Sequence, residues 1–267
     1  MCRWVAYAGP QIYLQEFLFD QTHSLVQQSL AAREARVTTN GDGFGVAWYG
    51  HRPHPGLFKD ILPAWNDANL RSLSAQIQSG LFLAHVRAST GTSVSRNNCH
   101  PFVHEQWSFM HNGQIGGWQE CRRAVEALID ASLYRHRLGT TDSEALFLIA
   151  LGEGLVQDPV MAMQRTLRKV LQVMAQHQVR EPLRLSAALS DGERIWAFRF
   201  SSDQASPTLY FGSPALPGAT TPEGMVTTIA SEPSDNQAAH WQPVPEGGGL
   251  VWEQGRVRAF ELGNLPD

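Results

Sequence analysis

Cysteine is scarce. Only Cys2, Cys99 and Cys121 occur in 267 residues, and an odd, sparse set in a chain this long is not a disulfide framework. A reducing, cytoplasmic setting is the expectation. Charge is scarce too, at 17 % against roughly 25 % in an average soluble domain. The 21 basic and 25 acidic residues leave a net charge of −4. Without a basic excess or a clustered basic stripe, nucleic acid and anionic membrane are not expected partners. No apolar run approaches the roughly 18 residues that a membrane span needs; the nearest, 147–155, is broken by Glu153. The first ten residues lack the basic and apolar regions of a signal peptide. Internal repeats and low-complexity tracts are missing as well.

What is present is a chain that is 43 % hydrophobic, long enough to bury about 70–75 % of its unfolded surface. The Pro- and Gly-rich patches at 50–56 and 213–224 read as surface loops. Neither marks a composition shift, so one domain over 2–267 is expected. Short runs of β-branched and aromatic residues predict strands at 44–49, 81–86, 107–111, 184–189, 194–200, 208–211, 225–230, 250–253 and 257–261. Asp191-Gly192 and Gln254-Gly255-Arg256 predict hairpins. Asp158 before Pro159 predicts a capped helix start, followed by Val160, Met163, Leu167, Val170, Leu171 and Met174 at helical spacing. Thr141-Asp142-Ser143-Glu144 fits a capping box. Further helices are expected near 119–134 and over 67–79. Strands first, helices in the middle and strands last point to an α+β fold with mainly antiparallel sheets packed together and helices outside.

Cys2 directly follows the initiator methionine. Removal of Met1, which a small second residue permits, would leave a thiol and a free α-amine on one residue. An α-amine titrates near 7.7–8.0 and a free thiol near 8.5, so the amine can serve as the base for its own side chain. A small buried residue at the head of a first strand would look the same in sequence. Cys99 adjoins His100, but adjacent side chains on an extended chain point apart. His85, His100, His104 and His111 crowd into 27 residues; Pro101 argues against a helical metal pair at His100 and His104. No metal and no cofactor is implied.

Several segments align with one family when taken in order: Met1-Cys2-Arg3; Asn40-Gly41-Asp42-Gly43-Phe44-Gly45-Val46; His85-Val86-Arg87-Ala88-Ser89-Thr90-Gly91; Asn98-Cys99-His100-Pro101-Phe102; His111-Asn112-Gly113; Thr141-Asp142-Ser143-Glu144; and Ala230-Ser231-Glu232-Pro233. The set, spanning 2 to about 233, resembles a class II glutamine amidotransferase of the N-terminal-nucleophile (Ntn) hydrolase type. It is most similar to stand-alone members that begin Met-Cys-Arg, such as the γ-glutamyl amidohydrolase of ergothioneine biosynthesis and glutathione-degrading relatives. The resemblance implies a four-layer αββα sandwich, with Cys2 as nucleophile and Asn112 and Gly113 as the oxyanion hole. It implies Arg87, with Thr90, on the α-carboxylate of the substrate and Asp142 on its α-ammonium.

On their own, Asn112-Gly113 would read as a tight hairpin turn, and Arg87 as a guanidinium presented at a strand end, suited to a carboxylate. The glycines of 41–45 precede a strand rather than a helix, which argues for close packing and against a phosphate loop. Glucosamine-synthase-type members carry Arg-Trp-Ala-Thr-His-Gly where this chain has Arg87-Ala88-Ser89-Thr90-Gly91. The family domain is expected to take up nearly the whole chain, with no fused synthase. The expected activity is therefore hydrolysis of glutamine or a γ-glutamyl compound through a thioester on Cys2. The rivals are a glutaminase subunit serving a separate synthase and a catalytically silent binding module. Self-association into a homo-oligomer is left open.

Overall fold

The computed structural model describes residues 2–34, 39–89, 91–216, 220–263 and 265. In chain order the elements are β1 (Arg3–Tyr13), α1 (Leu14–Leu18), α2 (Leu25–Leu30), β2 (Phe44–Tyr49), β3 (Gly56–Asp60), α3 (Ala68–Ser74), β4 (Gln78–Val86), β5 (Phe102–His104) and β6 (Trp107–Gln114). Then come α4 (Trp118–Glu126), α5 (Ala131–Tyr134), α6 (Asp142–Gly152), α7 (Pro159–Gln176), β7 (Arg184–Ser190), β8 (Arg194–Ser201), β9 (Tyr210–Gly212), β10 (Thr228–Ala230), β11 (Trp241–Pro243), β12 (Gly248–Glu253) and β13 (Arg256–Glu261). One sheet has the order β11-β9-β10-β1-β4-β2-β3, the other β13-β12-β8-β7-β6-β5. Every pairing is antiparallel.

Strand alternation sorts the side chains into layers. On β1, Trp4, Ala6 and Ala8 enter the layer between the sheets, while Val5 and Tyr7 face a second core with Phe17, Leu18 and Leu25 of α1 and α2. On β4, Leu81 and Leu83 point between the sheets and Phe82, Ala84 and Val86 point toward those helices. The second sheet answers with Met110, Ala188, Ile195, Ala197 and Leu250 on its inner face. Its outer face, with Phe109, Leu185, Leu189 and Phe198, packs on α4, α6 and α7. The result is the αββα sandwich that the resemblance implies. Helix α6 is apolar all round and buried from Ser143 to Ala150, as a helix wedged between a sheet and its neighbours must be.

Two polar contacts cross between the sheets. The Trp4 indole donates to the Ser186 carbonyl at 3.1 Å. The Tyr49 hydroxyl meets Ser108 Oγ at 2.8 Å, with the carbonyls of Gln106 and Ser190 at 2.8 and 3.1 Å; burial pushes this phenol up to about 12.

Several boundaries differ from expectation. The 119–134 helix is two helices, broken at 127–130, and α3 ends at Ser74 because the chain turns into β4 from Gln78. The cap of α6 is half a capping box: Thr141 Oγ1 accepts from the Glu144 N–H at 3.2 Å. The Glu144 side chain instead takes the N–H groups of Leu138 and Gly139 and pairs with Arg137. The 50–56 stretch is loop up to Gly56, where β3 begins.

The inner layer is lined by alanines, so it tolerates little added volume. Ala6→Leu should lower the unfolding free energy by about 1–3 kcal/mol through overpacking, read as a lower midpoint at unchanged slope in urea denaturation.

Candidate active site

The inner face of each central strand ends in polar residues. On β4 the inward series Leu81, Leu83 continues to His85 and, just past the strand, Arg87. On β1, Trp4 is preceded by Cys2. On β6, Met110 is followed by Asn112. The side chains of Cys2 and Asn112 therefore lie at one end of the gap between the sheets. A cavity of about 320 Å³ opens there, lined by Cys2, Arg87, His100, Gly113 and Asp142 among others. The structure thus brings together four of the residues singled out in the sequence. Asn112 is fully buried next to Gly113 and does not itself line the cavity. Thr90 lies outside the described residues, as does Met1.

Arg87 is buried, and its guanidinium meets only neutral oxygens. Nη1 donates to the Asp42 carbonyl at 3.3 Å; Nη2 donates to Thr92 Oγ1 at 2.6 Å, Ser89 Oγ at 3.2 Å and the Ser93 carbonyl at 3.3 Å. No acidic side chain pairs with it among the described residues. The carboxylate of the same Asp42 accepts instead from the Ser89 N–H at 2.7 Å. Asp142 opens α6. Its Oδ2 accepts the Ile115 N–H and its Oδ1 the Ser143 N–H, both at 2.8 Å. A fixed cation and a fixed anion line the same cavity without being paired to each other, an arrangement that suits a zwitterion.

Asn112 and Gly113 do not form a turn. They lie inside β6, opposite Ser186 and Leu185 of β7. Both polar atoms of the Asn112 side chain are buried without a hydrogen-bond partner among the described residues. Such orphaned groups are costly in a folded interior unless a ligand or water meets them. Gly113 is required by space: a Cβ there would sit 1.9 Å from the Arg184 carbonyl oxygen.

The Cys2 thiol is half-buried, with Sγ 3.5 Å from the Ala88 carbonyl. Burial raises its pKa, while the positive charges of Arg87 and Arg3 act to lower it. Cys99 and Cys121 are fully buried. Cys99 Sγ contacts the Asp60 and Ser95 carbonyls, and Cys121 packs inside α4. The loop carrying Cys99 and His100 fits against the glycines of β2: a Cβ on Gly43 would meet Cys99 Sγ at 2.6 Å, and one on Gly45 the His100 carbonyl at 2.2 Å. The close packing expected of these glycines is made against this loop.

Sequence reasoning passed over a buried histidine pair. The His85 and His100 rings lie 4.1 Å apart, and none of their four nitrogens has a hydrogen-bond partner within 3.5 Å among the described residues. Burial holds His85 down to about 3 and His100 well below its ordinary value. His111 is different: Nδ1 meets Ser143 Oγ at 2.9 Å and Nε2 meets the Arg184 carbonyl. His104 lies on β5 and His100 in the bend before it, so the two do not share a helix, and no group of three His, Cys, Asp or Glu among the described residues could hold a metal. No helix among the described residues is long and apolar enough to cross a membrane.

Also unassigned from sequence were Arg3 and Glu232. Arg3 Nε donates to Glu232 Oε2 at 2.8 Å, and Glu232 also meets His23 and the N–H groups of Arg33 and Glu34. Burial opposes ionisation of Glu232, but these bonds and the Arg3 charge carry it down to about 2.

Two face-to-face antiparallel sheets between helical layers, with a cysteine at the head of an inner strand opening on a cavity, define the Ntn-hydrolase architecture. Within that class the chain belongs to the class II glutamine amidotransferases, whose family model matches residues 17–209, and it is accordingly an enzyme. It is 32 % identical to the Probable glutamine amidotransferase DUG3 of Saccharomyces cerevisiae, over 92 % of this chain and 80 % of that protein. It is 29 % identical to the gamma-glutamyl-hercynylcysteine sulfoxide hydrolase of Mycolicibacterium smegmatis, a match spanning 50 % of this chain and 60 % of that protein. Among solved structures, a glutamine aminotransferase class-II domain protein from Silicibacter pomeroyi superposes with a TM-score of 0.76 and 35 % identity, covering 98 % of this chain and all of that one. The glutamine phosphoribosylpyrophosphate amidotransferase of B. subtilis, 12 % identical with a TM-score of 0.63 over 99 % of this chain and half of its own, shares the fold.

The neutral histidines make stability sensitive to acid. Between the folded value of about 3 for His85 and the ordinary 6.5, the unfolded chain binds a proton that the folded chain excludes, so stability rises with pH. Lowering the pH from 7 to 5 should cost about 2 kcal/mol from His85 alone. His85→Phe should flatten that slope in denaturant titrations at several pH values.

Proposed function

We propose that residues 2–267 form one amidohydrolase unit that cleaves the γ-amide of glutamine or of a γ-glutamyl compound. The observation that carries this reading is the buried Arg87 guanidinium, bonded among the described residues to neutral oxygens only, in the cavity that also holds Cys2 and Asp142. Arg87 takes the α-carboxylate and Asp142 the α-ammonium of the substrate. Two fixed ends restrict the substrate to an α-amino acid whose side-chain carbonyl reaches Cys2.

Once Met1 is removed, the α-amine of Cys2 accepts the thiol proton and the sulfur attacks the γ-carbonyl carbon. The Asn112 side-chain amide and the Gly113 N–H receive the oxyanion, which would give the orphaned Asn112 a partner. The tetrahedral adduct collapses to a glutamyl thioester as the leaving amine takes the proton from the α-ammonium. Water, deprotonated by the same amine, attacks the thioester and releases glutamate and the thiol.

A glutaminase subunit that feeds a separate synthase would need a docking surface near the cavity. Val94 and Leu138 are exposed there, on segments bonded to Arg87 and Asn97. Two side chains fall short of the patch of several hundred Å² that marks such surfaces, so release of the product to solvent is the reading adopted.

Purified protein should release glutamate from glutamine or a γ-glutamyl amide, followed by coupled glutamate dehydrogenase assay. Cys2→Ala should abolish turnover. Asn112→Ala should lower kcat by about 10²–10³-fold, and Arg87→Lys should act chiefly on KM, since a point charge cannot replace a two-armed grip. No turnover on any γ-glutamyl compound, from protein shown by mass spectrometry to begin at Cys2, would refute the proposal.

A further inference from the structure

We propose that Glu232 and Arg3 form a clamp that positions the nucleophile, holding the Cys2 backbone so that its thiol and α-amine face the cavity. This rests on the reading of Cys2 as the nucleophile. Cys2 lies just outside the first sheet: β1 and its ladder begin at Arg3, opposite Val86. A terminal residue with no ladder partner is free to rotate unless something else holds it. What holds Cys2 is the next side chain in the sequence. Arg3 Nη1 donates back to the Cys2 carbonyl at 2.9 Å, while its Nε donates to Glu232 at 2.8 Å. Fixing that carbonyl fixes the peptide plane that carries the Cys2 Cα, and with it the point from which the amine and the thiol project; the contact of Sγ with the Ala88 carbonyl at 3.5 Å then sets the direction of the thiol.

The anchor itself is rigid. Arg3 and Glu232 are both buried, and the Glu232 carboxylate is filled by the guanidinium, the His23 ring and the N–H groups of Arg33 and Glu34. The segment before Glu232 is pinned to β1, with the Ser231 N–H donating to the Trp4 carbonyl at 3.0 Å and the Trp4 N–H to Ser231 Oγ at 2.9 Å. The carboxylate is therefore referenced to the same strand whose first residue it helps to orient. Lysine could supply the charge but not both bonds, because it offers a point charge in place of a fork. A buried ion pair is weak evidence of stabilisation in itself. The bond from this pair to Cys2 is what gives it a role in the reaction.

The test uses the full-length protein as wild type, Arg3→Lys, Glu232→Gln, and Leu167→Ala as a destabilised control on α7, in the helical layer of the other sheet. The clamp predicts that Arg3→Lys and Glu232→Gln lower kcat by about 10- to 100-fold, the scale of a displacement near 1 Å, while KM hardly moves because neither residue touches substrate. Leu167→Ala, with a comparable fall in melting temperature, should keep its kcat per folded molecule. The ¹³C resonance of a selectively labelled Cys2 carbonyl should shift in both clamp variants. The proposal is overturned if that resonance stays put in Arg3→Lys, or if the loss of kcat in the clamp variants merely matches that of Leu167→Ala. Should the wild type hydrolyse no γ-glutamyl compound, the reading of the activity fails, and the carbonyl resonance alone then decides for or against the clamp.

Discussion

Two sheets stacked at the usual separation of about 10 Å leave a gap that side chains from both inner faces must fill. In this chain that filling is mostly apolar and often small, with Ala6, Ala8, Ala188 and Ala197 beside Trp4 and Met110. The alternation that sends these residues inward does not stop where the apolar residues stop. One step further along the same faces stand Cys2, His85, Arg87 and Asn112. The site is thus the polar end of the inter-sheet core, and its geometry is inherited from strand register rather than from loops. Trp4 shows the coupling most directly, since its indole bonds to Ser186, which pairs with Asn112 across β6 and β7.

That placement has an electrostatic consequence. Polar groups introduced into a packed layer are normally satisfied in place, yet this end of the layer collects groups that are not. Asn112 has two unmet polar atoms and the His85–His100 pair has four. The arginines show the contrast. Arg3 has a buried carboxylate against it, although its Nη2 has no partner among the described residues; Arg87, among the described residues, has only hydroxyl and carbonyl oxygens around it. A buried cation without a counter-charge is among the most costly groups a fold can hold. Its presence beside a cavity is the feature that most strongly separates a binding site from a structural network.

Much of this was legible in the residues, and the gaps have physical reasons. The αββα arrangement followed from the ordered motifs and from strand runs whose positions held within a few residues over β2, β7, β8, β12 and β13. β1 carried no such signal. Buried on both faces, its first six residues show no period of two, and Gly9-Pro10 reads as a turn where the structure has an irregular register between Ala8 and Ile12. Asn112-Gly113 has the composition of a hairpin turn, yet the chain runs straight through it. The glycine is there because the Arg184 carbonyl leaves no room for a side chain, a long-range contact that local sequence does not record.

The charged residues were the least readable, because a carboxylate or a guanidinium looks the same in sequence whether it is paired or waiting. Glu144 looked like the reciprocal half of a capping box and instead gathers the turn before α6 through Arg137, Leu138 and Gly139. Glu232 belonged to a recognisable motif without an assigned task. Only the fold shows that it lies against the residue after Cys2, some 230 positions away along the chain. Strand pairing explains why such a distance costs nothing in precision: β10 lies directly beside β1, with Ala230 opposite Val5, so the turn that follows β10 must emerge next to the residues that open β1. The late Ala230-Ser231-Glu232 segment is thereby tied to the residues that open β1, through the Ser231–Trp4 bonds and the Arg3–Glu232 pair.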